Sequence, residues 1–416
     1  MPCSVGMRGD GVRASSGSPG APARTPTPDA TASDDGSLSG ARPLLLGKDW
    51  FAERAGGLNR YFGDLVTVLS PTPGGVSAVV VGPADDAPLE VKGAGRGSRP
   101  LPLRLVAFAR AASRAGGDVD VVDAHFALYA CIPLAMTRLR HLPLVVHFHG
   151  PWAEESEVSG PQSRLAGATK LRIERRVYRR ADALVVLSHA FKTVLVDRYE
   201  VSPGRVHVIP PMVDLQHFRP GDRTVARRRL RLPDDGLVAV VTRRLEPRMG
   251  LEVLLEAWSH VLAARDDAVL VIVGEGALRA SLAQQVISQR MEGRVVFLGR
   301  ATDDELLAAL HAADVSVVPS IALEGFGLVV LESLATGTPV VSTDVGGLPE
   351  AMHGLEGANV VAANDPRLLS TAILAIAAGR GPSPASCRQH AEGFSAATFA
   401  SRHEELYAEV AGRNIG

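Results

Sequence analysis

Cysteine is scarce in this chain of 416 residues, which contains only Cys3, Cys131 and Cys387. The three are far apart, so the sequence offers neither the close pairs of a zinc site nor the even number of a disulfide framework. Small disulfide-stapled secreted domains are therefore excluded as a class. A reducing compartment is the expected environment.

Long hydrophobic runs, aromatic residues and a strong charge of one sign are also lacking. No apolar stretch approaches the roughly 18 residues that a membrane-spanning helix needs. Aromatic residues make up 5% of the chain, too few for the stacking surface of a single-strand binder. The formal net charge is -1, which gives no field that would attract a polyanion. Nucleic acid is therefore not an expected partner.

Residues 1–40 are rich in Gly, Ser, Pro, Ala and Thr and contain no apolar core. This composition is typical of a disordered segment and lacks the hydrophobic region of a signal peptide. We therefore predict a disordered leader over 1–40. The rest of the chain is too long for one ordinary core, and two folded domains are expected.

Short β-branched apolar runs alternate with longer helical patterns in both halves of the chain. This alternation predicts parallel sheets built from β-α-β units. The first half contains predicted strands at 44–46, 76–81, 119–122, 144–148, 183–187 and 206–209. The second half contains them at 238–241, 270–273, 295–298, 315–318 and 340–341. The predicted fold class is α/β, with two Rossmann-like, doubly wound domains facing an interdomain cleft.

The two prolines at 210–211 stop regular structure and mark the boundary between the halves. We predict a first domain over 41–213, a second over 214–395, and a last helix over 396–416 that packs back on the first domain. Residues 214–232 show little periodicity and are predicted to be an irregular connection. Ligands of such sheets bind beyond the carboxyl ends of the strands, so the site is expected in the cleft.

The segment 319–332 reads P-S-I-A-L-E-G-F-G-L-V-V-L-E, and its features suit a phosphorylated sugar ligand. A loop with two glycines leads into a helix that begins near Gly327. Glycine lets the backbone approach a ligand closely, and the free amides of a helix start suit a diphosphate. Carboxylates accept hydrogen bonds from hydroxyls, so Glu324 and Glu332 suit sugar hydroxyls. A tight turn with two solvated glutamates is the alternative.

A second motif follows: the strand G-T-P-V-V at 337–341, then the loop G-G-L-P-E at 346–350. Together the two segments resemble the retaining glycosyltransferases of family 4, which include relatives of sucrose and glycogen synthase and many bacterial polysaccharide enzymes. The family signature has two glutamates separated by seven residues, in the context E-G-F-G-L-x-x-x-E, and Glu324 and Glu332 match that pair. The resemblance extends over about 44–410 and implies the two-domain GT-B fold.

The resemblance also implies separate roles for the residues of this segment. The donor in that family is a nucleoside diphosphate sugar. Glu324 is expected to contact the hydroxyls of the donor sugar, as a catalytic residue, and Glu332 is expected to hold the ribose hydroxyls. Further donor contacts are expected from the residues between them, namely Gly325, Phe326, Gly327 and Leu328.

A basic cluster follows the predicted strand that ends at Val241. A leaving diphosphate develops negative charge, which fixed cations stabilise, and arginine suits bidentate phosphate contacts. The family pattern R-L-x-P-x-K-G implies that Arg244 binds the diphosphate, with help from Arg243 or Arg248. Met249 stands where that pattern has lysine, so one cation of the usual pair is absent. A solvated basic turn is the alternative.

Glycines and histidines occur where strands of the first domain are predicted to end. Gly56 and Gly57 precede the first helix, where the resemblance places the donor phosphate; a plain turn is the alternative. His149 is expected in the donor sugar pocket and not as a base. His125 and Asn59 are candidates for acceptor contacts, although a core position explains His125 equally well.

His147 and His149 could form a pair of metal ligands, because side chains two residues apart on a strand point the same way. No third ligand follows with zinc-like spacing, so no metal is predicted. No cofactor is predicted either, because the nucleotide sugar is a co-substrate. A basic helical pattern at 172–180 is expected to be a solvated face, with peripheral membrane contact as the alternative.

The reaction implied is transfer of a sugar from a nucleoside diphosphate sugar to a hydroxyl, with the leaving phosphate assisting on the same face of the sugar. The acceptor is expected to be a carbohydrate, a lipid-linked hydroxyl or a small molecule. We expect a cytoplasmic location, with the inner face of the membrane as an alternative. Three other activities stay open: a non-catalytic nucleotide-sugar binding module, a glycoside phosphorylase, and an epimerase.

Overall fold

The computed structural model describes residues 40–50, 56–95, 99–152 and 164–413. The predicted leader lies outside this part of the chain, apart from Gly40. Among the described helices, none combines the length and the apolar character needed to span a bilayer.

Within the described residues, the first sheet contains seven strands, all paired in parallel. The strands are β1 Pro43–Leu46, β2 Ser77–Val80, β3 Val91–Gly93, β4 Val121–Ala124, β5 Leu144–Phe148, β6 Ala183–Val186 and β7 Val206–Val208. The helices are α1 Gly57–Leu69, α2 Leu101–Ala115, α3 Ala127–Met136, α4 Arg164–Arg180 and α5 His189–Tyr199. The spatial order β3-β2-β1-β4-β5-β6-β7 reverses direction between β1 and β4.

The described part of the second sheet has six parallel strands. They are β8 Val238–Thr242, β9 Val269–Val273, β10 Val295–Gly299, β11 Val315–Val318, β12 Val340–Thr343 and β13 Asn359–Val361. The helices are α6 Arg223–Arg229, α7 Leu251–Ala264, α8 Arg279–Ser288, α9 Asp303–Ala312, α10 Leu328–Ala335, α11 Leu348–Ala351, α12 Pro366–Ala377, α13 Pro384–Glu392 and α14 Ala396–Gly412. The order β10-β9-β8-β11-β12-β13 reverses between β8 and β11.

Strands covered by helices on both faces are buried on both faces, which explains their uninterrupted apolar sequences. β1, β6 and β9, for example, are buried along their whole length. Side chains on each face of each sheet form a separate core cluster with the helices that cover it. The predicted α/β class with two doubly wound sheets is therefore confirmed.

Three elements differ from the sequence expectation. Strands β3 and β13 were not predicted, because three-residue edge strands leave too short an apolar pattern. The segment 214–232, predicted to be irregular, contains helix α6. Its sequence R-T-V-A-R-R-R has no apolar periodicity, because the residues that the helix buries are Ala226 and Arg227. The Arg227 guanidinium lies 2.7 Å from Asp314.

The last helix, α14, returns to the first sheet. Phe399, Leu406 and Tyr407 of α14 are buried in one core cluster with Leu45 of β1 and Val145 of β5. The C-terminal end of the chain therefore covers the same face of the first sheet as helix α1.

A carboxylate of the second domain caps a helix of the first. Glu350 accepts hydrogen bonds from the backbone amides of His189 at 2.7 Å and Ala190 at 2.9 Å. Ser188, the residue before α5, accepts from the amide of Phe191 at 3.2 Å. The first amides of a helix have no partner inside it, and the helix dipole favours a negative charge there. Glu350 therefore joins the two domains through the start of α5.

We predict that Glu350→Ala lowers the free energy of unfolding by about 1–2 kcal/mol, the usual cost of losing a charged helix cap. Chemical denaturation measures this change. Glu356→Ala is the control, because Glu356 is an exposed glutamate close by in the same domain. Equal losses in the two variants would contradict the capping role.

Candidate active site

The predicted site residues lie at the points where the strand order of each sheet reverses. Arg243 follows β8, and the loop 319–327 follows β11. In the first sheet, Gly56 precedes the helix that follows β1, and His125 follows β4. Such reversal points leave a crevice at the carboxyl ends of the strands, where ligands of these folds bind.

Glu324 is held by two side chains at the end of β11. The guanidinium of Arg243 donates to Glu324 Oε2 and to Ser320 Oγ, and Ser320 Oγ donates to the same carboxylate oxygen at 3.1 Å. The side chains of Arg243 and Glu324 are only 8% and 13% exposed. A charge pair shielded from water interacts more strongly than one at the surface. The position of Glu324 is thus fixed before any ligand arrives.

The backbone of this loop is fixed by its neighbours as well. Leu323 has a φ of 53°, a left-handed conformation that costs a non-glycine residue energy. Its carbonyl accepts from Arg248 Nη1 at 2.7 Å, and the carbonyl of Glu324 accepts from Gly347 N at 3.0 Å. Gly346 must be glycine, because a Cβ there would lie 2.0 Å from the carbonyl oxygen of Glu324.

Arg243, and not Arg244, lies beside Glu324. The amide of Arg243 bonds to Val273 O at 2.9 Å and continues the ladder of β8 and β9. Successive side chains of an extended chain point to opposite sides, so Arg243 turns inward and Arg244 is exposed to solvent. The residue that pairs with Glu324 is therefore Arg243, and the expected contact of Arg244 with the diphosphate stays a prediction. Met249, at the position expected to hold lysine, is buried in the core of the second domain.

Two helix starts, one from each domain, face each other across the cleft. Gly327 has a φ of 92° and precedes α10, and Gly57 is the first residue of α1. The two starts are close together, because a Cβ on Gly57 would lie 3.9 Å from the Leu328 side chain. Free amides and two helix dipoles directed at one place favour an anion there.

The other two predicted loop residues have structural neighbours. Phe326 is 3% exposed and belongs to the core of the second domain. Gly325 lies against Phe191 of the first domain, so a Cβ would be 3.2 Å from that ring. The backbone of Gly325, in the second domain, therefore packs directly against the first domain. Only the main chain of Phe326 is left for a ligand, because its side chain is buried.

Glu332 faces the first domain, where Arg60 Nη1 lies 3.0 Å from its carboxylate. The same guanidinium lies over the Phe218 ring, 5.1 Å from the centroid. Burial raises the pKa of Glu332, and Arg60 opposes that shift. Burial also raises the pKa of Asp64 to about 6; Arg60 lowers it, whereas Glu332 and Asp214 raise it further. Glu332 and Asp64 therefore both interact with the Arg60 guanidinium, and their oxygens are acceptors for hydroxyl groups.

The structure brings His125 and His149 together. Their Nδ1 and Nε2 atoms, respectively, are 3.3 Å apart, and Tyr61 packs its ring edge-on to His149 at 5.1 Å between centroids. Burial lowers the pKa of His149 to about 4 and that of His125 well below its ordinary value, so both rings are neutral at pH 7. Asn59 is buried in α1, next to Arg60.

Three histidines of the described chain are close enough to raise the question of a metal. The candidate nitrogens of His125, His147 and His149 lie within 4.8 Å of one another. The rings, however, are nearly parallel, with angles of 11° to 22° between their planes. A ligating lone pair lies in the plane of its imidazole, so these rings would have to rotate before converging on one ion. This geometry provides no support for a metal site.

Several residues of the cleft were missed by sequence reasoning. Arg60 and Asp64 lie one turn apart on α1, on the side that faces Glu332. Asp123 interrupts the apolar strand β4, and a charged residue in a buried strand is a signal that it has a partner. His403 and Tyr407 lie four residues apart on the apolar side of α14, where polar side chains also need partners.

We predict that Asp64→Asn stabilises the protein at pH 7. The carboxyl group has a higher pKa in the folded chain, about 6, than in the unfolded chain. Between these two values the folded state binds more protons, so wild-type stability falls as pH rises from about 4 to 6. Asparagine does not titrate, so the free energy of unfolding of the variant lacks this fall. The difference in unfolding free energy, variant minus wild type, should be about 1–3 kcal/mol larger at pH 7 than at pH 4.

Urea unfolding at pH 4 and pH 7 measures this change, with Asp197→Asn, an exposed residue of α5, as the control. If Asp64→Asn changes the free energy of unfolding by the same amount at pH 4 and at pH 7, the raised pKa of Asp64 is contradicted.

Two family models match the chain. The model for glycosyl transferases group 1 matches residues 222–394, and the model for glycosyltransferase family 4 matches residues 55–217. The D-inositol 3-phosphate glycosyltransferase of Geodermatophilus obscurus is 34% identical over 346 residues, covering 80% of this chain and 75% of that protein. A protein of the same name, numbered 1, from Catenulispora acidiphila is 35% identical over 312 residues, with coverage of 71% and 73%.

Solved structures give the same fold. The Anabaena protein HepE in complex with UDP has a TM-score of 0.72 at 19% identity and covers 88% of this chain and 100% of its own. Sucrose-phosphate synthase from Thermosynechococcus elongatus has a TM-score of 0.72 at 23% identity, with coverage of 89% and 99%. The fold is therefore GT-B, and the chain belongs to the family 4 glycosyltransferases.

Proposed function

We propose that the protein transfers a sugar from a nucleoside diphosphate sugar to an acceptor hydroxyl, with retention of the anomeric configuration. The observation that carries this proposal is the position of the buried Arg243–Glu324 pair beside two facing helix starts. A diphosphate needs cations and backbone amides, and a sugar needs carboxylate acceptors. These groups lie around one cleft.

The donor would be held from both ends. Its diphosphate would lie beside the backbone amides of the two helix starts, at Gly57 and Leu328, with Arg243 as the buried cation. The ribose hydroxyls would donate to Glu332 in exchange for its contact with Arg60. The hydroxyls of the sugar would donate to Oε1 of Glu324, because the contacts of this carboxylate within the described part of the chain use Oε2.

The chemical step needs no separate base. The bond between the anomeric carbon and the leaving phosphate oxygen breaks, and the acceptor oxygen bonds to the same face of that carbon. The acceptor proton passes to the leaving phosphate. Negative charge grows on the diphosphate during this step, and Arg243 and the helix starts are already in place to stabilise it. The residues assigned here require no metal ion, and we expect turnover to persist in the presence of a chelator.

UDP is the nucleotide to test first, because HepE has been crystallised with UDP and with UDP-glucose. D-Inositol 3-phosphate is the acceptor to test first, because it stands in the names of the two relatives described above. A phosphorylated polyol suits a cleft with cations. Lys48 follows β1 and Arg60 lies in α1, so both come from the sheet end that faces the cleft.

The deciding experiment incubates the purified protein with UDP-sugars in EDTA-containing buffer, with and without the acceptor. Release of UDP that depends on the acceptor, with a product of retained configuration by NMR, is the expected result. Saturable binding without release would indicate a binding module. Release without an acceptor would indicate hydrolysis or epimerisation, and turnover that needs inorganic phosphate would indicate a phosphorylase.

We predict that Arg243→Ala lowers kcat/KM by about 100-fold or more, the usual cost of losing one preorganised group that stabilises transition-state charge. Arg244→Ala is the comparison, since it removes the adjacent, exposed arginine; if Arg243 is the main diphosphate contact, Arg244→Ala should retain activity within about threefold. Steady-state kinetics with varied donor measure both. A larger loss in Arg244→Ala than in Arg243→Ala would return the diphosphate contact to Arg244.

A further inference from the structure

A buried polar network lies under His149. Asp123 of β4 is fully buried, and around it are His125, His147 and two residues of the last helix, His403 and Tyr407. The rings of His147 and His403 are stacked at 5.5 Å with 4° between their planes. A buried carboxylate is costly unless its oxygens receive hydrogen bonds. The contacts of this carboxylate therefore determine where the protons of the network lie.

Asp123 accepts two hydrogen bonds on one oxygen. The hydroxyl of Tyr407 and Nε2 of His147, at 2.9 Å, both donate to Oδ2. His147 therefore carries its proton on Nε2, and its Nδ1 is a bare lone pair. The other carboxylate oxygen, Oδ1, lies 3.7 Å from Nε2 of His125, and within the described chain both atoms are buried without a hydrogen-bond partner.

The proton positions of the next two rings follow from this arrangement. Burial raises the pKa of Asp123, whereas His125, the hydrogen bond from Tyr407 and His403 lower it and so favour the ionised form. In that form Oδ1 can only accept, so a proton on Nε2 of His125 gives both buried atoms a favourable neighbour. Nδ1 of His125 is then bare and faces Nε2 of His149 at 3.3 Å. His149 must therefore donate through Nε2. Because its ring is neutral, Nδ1 of His149 is left as an acceptor.

We propose that Tyr407 and Asp123 are positioning residues that fix His149 in the Nε2-protonated tautomer, so that its Nδ1 accepts a hydrogen bond from a substrate hydroxyl in the cleft. Tyr407 is 284 residues from Asp123 in sequence. The last helix thus acts on the cleft through one hydroxyl group. The tautomer of His149 is inferred from the hydrogen bonds of the network alone. The expected effect of this tautomer on turnover rests on the proposed function.

Tyr407→Phe removes that hydroxyl and keeps the ring. Tyr199→Phe is the matched control, because Tyr199 is also buried and also donates to a buried carboxylate, Glu174 Oε2, at 3.2 Å. Long-range 1H–15N spectra of protein labelled with 15N-histidine distinguish the two tautomers without any substrate. Asp123→Asn, which keeps the size of the side chain, is the second variant if Tyr407→Phe does not fold.

Wild type and Tyr199→Phe should show His149 protonated on Nε2, and Tyr407→Phe or Asp123→Asn should show a mixture or the other tautomer. The kcat of Tyr407→Phe should fall about tenfold, as for one lost hydrogen bond to a charged group, with donor KM within about twofold. An unchanged His149 spectrum in both variants, or Nδ1 protonation in wild type, would overturn the proposal. If the spectra are as predicted but neither wild type nor any variant transfers sugar, the tautomer assignment is supported and the proposed function is contradicted.

Discussion

Glu324 carries a negative charge where solvent reaches only 13% of its side chain, and such a charge needs a partner. Arg243 supplies it from the end of β8, and Ser320 adds a hydrogen bond from the end of β11. Because these two strands are neighbours at the reversal point of the sheet, the pair depends on the strand order itself. The left-handed Leu323 and the glycine at 346 are consequences, since the loop must turn sharply to put Glu324 there.

Two contacts of glutamate side chains join the domains across the cleft. Glu350 of the second domain caps α5 of the first, and Glu332 of the second domain pairs with Arg60 of the first. Both contacts use groups that can exchange a protein partner for a ligand or for water. A ribose hydroxyl can replace Arg60 at Glu332 without leaving either charge buried alone, because Asp64 lies near the same guanidinium.

Much of this site could be predicted from the sequence, because it lies in short segments with strong local patterns. The loop containing Glu324, the helix start at Gly327 and the glycines before α1 are all contiguous in sequence with a strand or a helix. The pairing of Arg243, and not Arg244, with Glu324 could not be predicted in this way, since it depends on which of two adjacent side chains faces inward. Tyr407 was missed because its partner is 284 residues away. Helix α6 was missed because the residues that it buries are an alanine and an arginine, which form no apolar pattern.

We propose that the Arg243–Glu324 loop and the facing helix starts hold a nucleotide sugar. A crystal structure of the protein with a UDP-sugar would show whether they do. We expect the diphosphate within hydrogen-bond distance of the Arg243 guanidinium and of the backbone amides at the start of α10. The ribose hydroxyls should contact Glu332. A nucleotide whose diphosphate lies outside the cleft, or whose ribose makes no contact with Glu332, would contradict the account.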